Sequence, residues 1–281
     1  MSDTRLNQQG QGTPEDLFAQ IVDAGKSALD GAADAYREGF DQVMTVLPTF
    51  DELLRQAVSL PGTGVNRAGY LAEALGKTCN AATIRAAIDT TPAKAGVSAR
   101  QLDKIAKRSI GKDGRRTTAI SMAAGLPGGV AAAATIPADL VQFYAHLIHI
   151  IQKLTYLYGW GDLVRIDGGE PDTATARALV LLLGVMAGVK EADTLFAQLA
   201  RRRASGASIE QLREALRSEA VFSSVNDISL ALGKRLAHRL TGQVAGKTVP
   251  LVGMVISGTI SFAGFGDMAK RLHKELKRHG A

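Results

Sequence analysis

The sequence predicts an all-α protein, a multi-helix bundle with two glycine-rich apolar helical segments. Three observations carry that expectation. Thr49 and Glu52, Ser98 and Gln101, and Ser208 and Gln211 stand three residues apart ahead of apolar-periodic stretches, the spacing of a capping box. Pro48, Pro61, Pro92, Pro171 and Pro250 fall between such stretches, where a residue without a backbone N–H separates helices. No segment sustains the apolar–polar alternation of a half-buried strand, and Ala, Leu, Arg, Lys, Gln and Glu favour helix at nearly every interval.

With 281 residues, 46% of them hydrophobic and 21% charged, the chain can bury a sizeable core, so disorder is excluded as its dominant state. Only residues 1–12, polar and rich in glutamine and glycine, read as a disordered tail, and residues 13–281 read as one all-helical domain. Met1–Gly12 holds no apolar run behind an Arg/Lys cluster, which predicts a cytoplasmic protein. Cys79 is the single cysteine, so neither a disulfide scaffold nor a cysteine-built metal centre can form. Its Cys-Asn-Ala-Ala context reads as helical, with a small buried side chain.

Along the chain, Thr13-Pro14-Glu15-Asp16 supplies a cap, a first-turn proline and acids suited to the helix dipole, opening a helix to about Leu47. The helix opened by Ser98 carries the basic run Arg100–Arg116, with seven cations and two acids. Thr117 to Ala138 is then uncharged for 22 residues, and Thr248 to Gly266 for 19. Both reach membrane-spanning length. The first is interrupted by Gly125-Leu126-Pro127-Gly128-Gly129 and by Pro137, which argues against a clean span; the second, which holds Gly253, Gly258, Gly264 and Gly266 among its apolar residues, is borderline. Ala178–Val189, apolar for only 12 residues, reads as a core helix.

Small residues recur every fourth position in both runs, at Ser121, Gly125, Gly129 and Ala133 and again at Gly253, Ser257 and Ser261. Such faces let helices approach closely, whether in a soluble core or in a hairpin entering the bilayer surface. The helix after Pro137 is apolar except for Asp139, Gln142, His146, His149 and Lys153, which step by 3, 4, 3 and 4 and so form one polar stripe. Gly159 is its expected stop. The stripe reads either as a solvent- or headgroup-facing seam or as a proton relay or metal site through His146 and His149; a third ligand is distant, so no metal is assigned. Asp139 near the helix start is already favoured by the dipole.

Catalytic and nucleotide signatures are missing. Gly242-Gln243-Val244-Ala245-Gly246-Lys247-Thr248 has three residues between its glycines where a phosphate loop needs four, and a helix-like Lys234–Leu240 precedes it in place of a strand. There is no Gly-x-Ser-x-Gly, His-Glu-x-x-His or Gly-x-Gly-x-x-Gly, and no motif calls for a cofactor. Charge is more informative. Residues 1–60 carry four basic and ten acidic side chains, and the remainder 29 and 17, so a net +12 sits on the body. Arg100–Arg116, Arg201-Arg202-Arg203 and Lys270–Arg278 hold much of it, next to apolar segments. With aromatics at 5%, base stacking is poorly served, which favours an anionic membrane surface or lipid over nucleic acid as partner.

The order Ala123-Ala124-Gly125-Leu126-Pro127-Gly128-Gly129, Ile136-Pro137-Ala138-Asp139-Leu140, Ile151-Gln152-Lys153 and Tyr158-Gly159-Trp160 resembles the central signature of the EcsC family. Val249-Pro250-Leu251-Val252-Gly253 and Asp267-Met268-Ala269-Lys270 resemble its closing motif, so the resemblance spans about residues 116–276. Ser261 stands where members often carry asparagine. The resemblance implies a helical, apolar, mostly bacterial protein connected by name to a transporter operon, and it supplies no catalytic residue. The expectation is a non-enzymatic protein at the cytoplasmic membrane face, with a membrane transporter as a further partner. The alternatives are a soluble helical carrier of a lipid or other apolar ligand, and an enzyme using the Asp139/His146/His149 stripe.

Overall fold

The computed structural model describes the backbone of residues 49–124, 132–245 and 250–279, and the side chains of 49–115, 140–236 and 264–279. Among the described residues there are ten α-helices and no strands, so the protein is all-α. They are α1 (Phe50–Ser59), α2 (Arg67–Leu75), α3 (Ala81–Asp89), α4 (Ala99–Ala124), α5 (Ala132–Leu157), α6 (Thr173–Ala187), α7 (Lys190–Ala204), α8 (Ile209–Arg217), α9 (Glu219–Ala245) and α10 (Pro250–His279). The expected tail and the helix expected from Thr13 to Leu47 lie outside the described residues.

Local chemistry opens these helices where the spacing indicates. Ser98 Oγ accepts from the Gln101 N–H at 3.3 Å while Gln101 Oε1 accepts from the Ser98 N–H at 3.0 Å, and Ser208 with Gln211 repeats the box. Thr49 accepts from the Glu52 N–H. Asn66, Asn80 and Asp172 cap α2, α3 and α6 in the same way. Gly159, at φ 69°, ends α5, with the Trp160 N–H returning to the Thr155 carbonyl at 2.8 Å.

The helices form two groups. α5 packs on α1, α2 and α4, and α6 packs on α7, α8 and α9; α10 lies against α4, α5 and α6 and joins them. One contiguous core results, and α6 is its most deeply buried element, with Leu179, Leu181, Leu182, Leu183 and Val185 wholly enclosed. That bears out the core-helix reading of Ala178–Val189. Gly184 lets α6 approach its neighbours, since a Cβ there would lie 2.6 Å from Ile228 Cγ2 and 2.7 Å from Ala192 Cβ.

Three local expectations need correction. Pro137 does not break the chain, because α5 begins at Ala132 and runs through it. As the sixth residue of α5 it removes one backbone hydrogen bond, and the helix continues through it. Asp139 is therefore the eighth residue of α5, beyond the first turn in which the dipole favours a carboxylate. Cys79 lies in the turn between α2 and α3 and is half-buried, because Asn80 rather than an earlier residue opens α3. Pro250 occupies the first position of α10, where its absent N–H costs nothing.

Candidate functional site

Two of the three basic runs, Arg100–Arg116 and Lys270–Arg278, fall on helices that pack side by side, and Arg201-Arg202-Arg203 ends α7. α4 buries Leu102, Ile105, Ala106 and Ile110, which leaves Arg100, Lys104, Lys107, Arg108, Lys112 and Arg115 exposed. α10 buries Phe265, Met268, Ala269, Leu272 and Leu276 and exposes Lys270, Arg271, Lys274, Lys277 and Arg278. The helices run antiparallel: Asp103, in the second turn of α4, takes Lys277 Nζ from the last turn of α10 at 2.7 Å. Its other carboxylate oxygen takes Lys107 Nζ at 2.8 Å. Side-chain exposures of 18% for Asp103 against 68% and 52% for Lys107 and Lys277 place the anion beneath two outward cations. Hydrogen bonds from Lys107 and then Lys277 hold the Asp103 carboxyl at about 2, so it stays ionised.

Below Asp103, His273 Nε2 and the Tyr158 hydroxyl share a buried hydrogen bond of 2.8 Å, with Asp103 Oδ1 3.6 Å from the same nitrogen. Burial pushes the His273 pKa down, against the pull of Asp103, and pushes the Tyr158 hydroxyl up. A neutral ring and a protonated phenol fit that contact. Elsewhere on this face Lys112 pairs with Glu73, Lys270 with Asp267 and Arg278 with Glu275, while Lys104, Arg108 and Lys274 make no ion pair among the described residues.

Of the polar stripe of α5, the side chains of Gln142, His146, His149 and Lys153 are described and are partly buried. Gln142, His146 and His149 are half-buried and, with Leu60–Thr63 and Asp113, line a cleft of about 150 Å³. His149 Nδ1 lies 3.3 Å from the Thr63 carbonyl, and because a carbonyl only accepts, that nitrogen carries the proton. Lys153 leaves the seam to form a two-oxygen ion pair with Asp113 at 2.8 and 2.9 Å, at exposures of 13% and 9%. The residue that orders this corner is Gln152, which the stripe leaves out: its amide donates to the Thr63 carbonyl at 2.9 Å and accepts from the Val65 N–H at 3.0 Å. The side chain of Asp139 lies outside the described ones. So do those of Pro137, Pro250, Gly253, Ser257 and Ser261, together with Gly125, Pro127, Gly128 and Gly129.

One buried cation, Arg213, and one half-buried cation, Arg203, escaped sequence reasoning. Arg213, 1% exposed, bonds Asp172 at 2.6 Å, the Leu163 carbonyl at 2.9 Å and Thr175 Oγ1 at 3.2 Å, fastening α8 to the turn before α6. Burial alone would raise the Asp172 pKa, but bonds from Thr175, Arg217 and Arg213 hold it well below the usual carboxylate range. Arg203 lies 4.6 Å over the enclosed Trp160 ring and donates to the Tyr158 carbonyl. Only their positions on apolar helical faces, Arg213 between Leu212 and Leu216, could have hinted at burial. A further groove of about 320 Å³ opens between α1, α6 and α9, with Leu54, Val180, Val225 and the half-exposed Phe222 on its walls.

Among the described residues no three His, Cys, Asp or Glu side chains are placed to hold a metal ion, and no helix is long and apolar enough to cross a membrane. α9 runs as helix to Ala245, so no strand leads into Gly242–Thr248. No family model, no curated protein and no solved structure matches this chain.

Proposed function

We propose that this is a non-enzymatic, EcsC-like helical protein that rests on the anionic cytoplasmic face of a membrane. The observation that carries the reading is the side-by-side packing of α4 and α10, which brings two basic runs more than 150 residues apart together at Asp103 and leaves most of their cations exposed. Near an anionic leaflet each Lys or Arg contributes about 1 kcal/mol, and the effect fades within a Debye length. A single face is therefore more effective than the same charges scattered. The EcsC-like assignment rests on the two ordered motifs of the sequence. The test is flotation with anionic and with neutral vesicles at low and high salt. Co-migration with anionic vesicles that weakens as salt rises is expected, and no co-migration under any condition ends the proposal.

A second reading, a binding protein for an apolar ligand, is favoured by the groove walled by Leu54, Val180, Val225 and Phe222. Native mass spectrometry of freshly purified protein separates the two: a copurifying lipid supports the carrier, whereas an empty protein that binds vesicles supports the membrane reading.

A further inference from the structure

We propose that Lys107 and Lys277, pinned together by Asp103, form a binding site for a phosphate group, and that on a membrane this site selects the phosphomonoester of a lipid headgroup. The second clause rests on the membrane reading above. The first stands on local geometry. Two ammonium groups from different helices each bond a different oxygen of one carboxylate, at 2.8 and 2.7 Å. Each ammonium has three N–H donors and spends one on Asp103. The remainder face solvent, since both lysines are more than half exposed while Asp103 is mostly covered.

Shared bonding to Asp103 reduces the rotamer freedom that two long side chains would otherwise lose on binding, which is the usual cost of a lysine contact. Beneath Asp103 lies the His273 ring, whose Nε2 is 3.6 Å from Asp103 Oδ1 and bonds the Tyr158 hydroxyl. Two positive charges against one negative leave a net attraction for an anion on the outer side. A phosphomonoester, with a charge of about −1.5 to −2 and three acceptor oxygens, suits a paired donor better than a phosphodiester with a single charge.

Counting charge alone leads to a different outcome. Asp103→Asn removes a negative charge, so a purely electrostatic face would bind every anionic vesicle more tightly. A pinned pair would lose its preference for the monoester even as overall attraction rose. The experiment compares binding to phosphatidylcholine vesicles containing phosphatidic acid with binding to vesicles containing phosphatidylserine, matched in surface potential. Alongside it, inorganic phosphate is titrated without vesicles while lysine ammonium NMR signals are followed. Melting temperatures equal to the parent's qualify each variant as folded.

The parent should prefer phosphatidic acid severalfold, and phosphate should shift the Lys107 and Lys277 signals. Lys107→Gln, Lys277→Gln and Asp103→Asn should each bring the preference towards unity, whereas Lys104→Gln and Lys274→Gln should weaken both lipids alike. Binding without preference, with no phosphate shift at the two lysines, overturns the site and leaves the membrane reading standing. Tighter binding of Asp103→Asn with the preference intact also overturns it. Phosphate shifts at the two lysines without vesicle binding support the site, assign it a soluble phosphate and end the membrane reading. Equal displacement from phosphatidic acid by a nucleic acid duplex would show a general polyanion surface and overturn the selectivity.

Discussion

At the scale of single residues, the strongest consequences come from ionisable groups enclosed by the fold. Arg213 places a guanidinium inside the protein against Asp172 and two carbonyls. Arg213→Gln should cost about 1–3 kcal/mol in urea unfolding, because the enclosed Leu163 carbonyl and Thr175 hydroxyl lose their donor, while Asp172, 46% exposed, keeps Arg217. Lys153→Met should also destabilise, because it removes an ammonium that bonds both Asp113 oxygens at side-chain exposures of 13% and 9%. His273 has a pH signature. Burial lowers its pKa from 6.5, so below 6.5 the unfolded chain takes up a proton that the folded protein resists. Its contribution is complete above that value and is lost as pH falls through the window beneath it. Urea unfolding at pH 7.5 and at about pH 5.5 should show lower stability in acid, and His273→Gln should reduce that difference. A drop of equal size in the variant would assign the pH dependence to other groups.

At the scale of helices, close approach is the recurring requirement. Gly184 meets it in the core, where a single added methyl would press on both Ile228 and Ala192. Gly184→Ala should therefore lower stability by about 1–3 kcal/mol despite alanine's better helix propensity, which would raise it by about 1 kcal/mol at an open site. A higher melting temperature in this variant would show that α7 and α9 yield without strain. The stripes at Ser121/Gly125/Gly129/Ala133 and Gly253/Ser257/Ser261 lie outside the described side chains, and the same argument applies to them as an expectation. Gly253→Leu should cost about 1–3 kcal/mol, while Gly12→Leu should change nothing measurable in thermal unfolding.

For the molecule as a whole, α10 is the element on which both the core and the cationic face depend, since it packs on α4, α5 and α6. Charge reversal at two exposed positions, Lys104→Glu with Lys274→Glu, should abolish flotation with anionic vesicles while leaving melting unchanged, because surface charges contribute little to folding. Loss of flotation together with melting would make the face a structural feature. Helix class, caps at Ser98 and Ser208, the stop at Gly159 and the enclosed α6 were legible in the residues alone, because capping, left-handed turns and helical periodicity act over four or five positions. The course of α5 through Pro137, the burial of Arg213 and the role of Gln152 were not legible in that way. Nor was the meeting of Lys107 with Lys277 over Asp103. Arg213, Gln152 and the lysine pair each join groups far apart along the chain, and which distant partner a side chain meets is set by the packing of whole helices around a shared core, a sum of many small contacts that no short stretch of residues encodes.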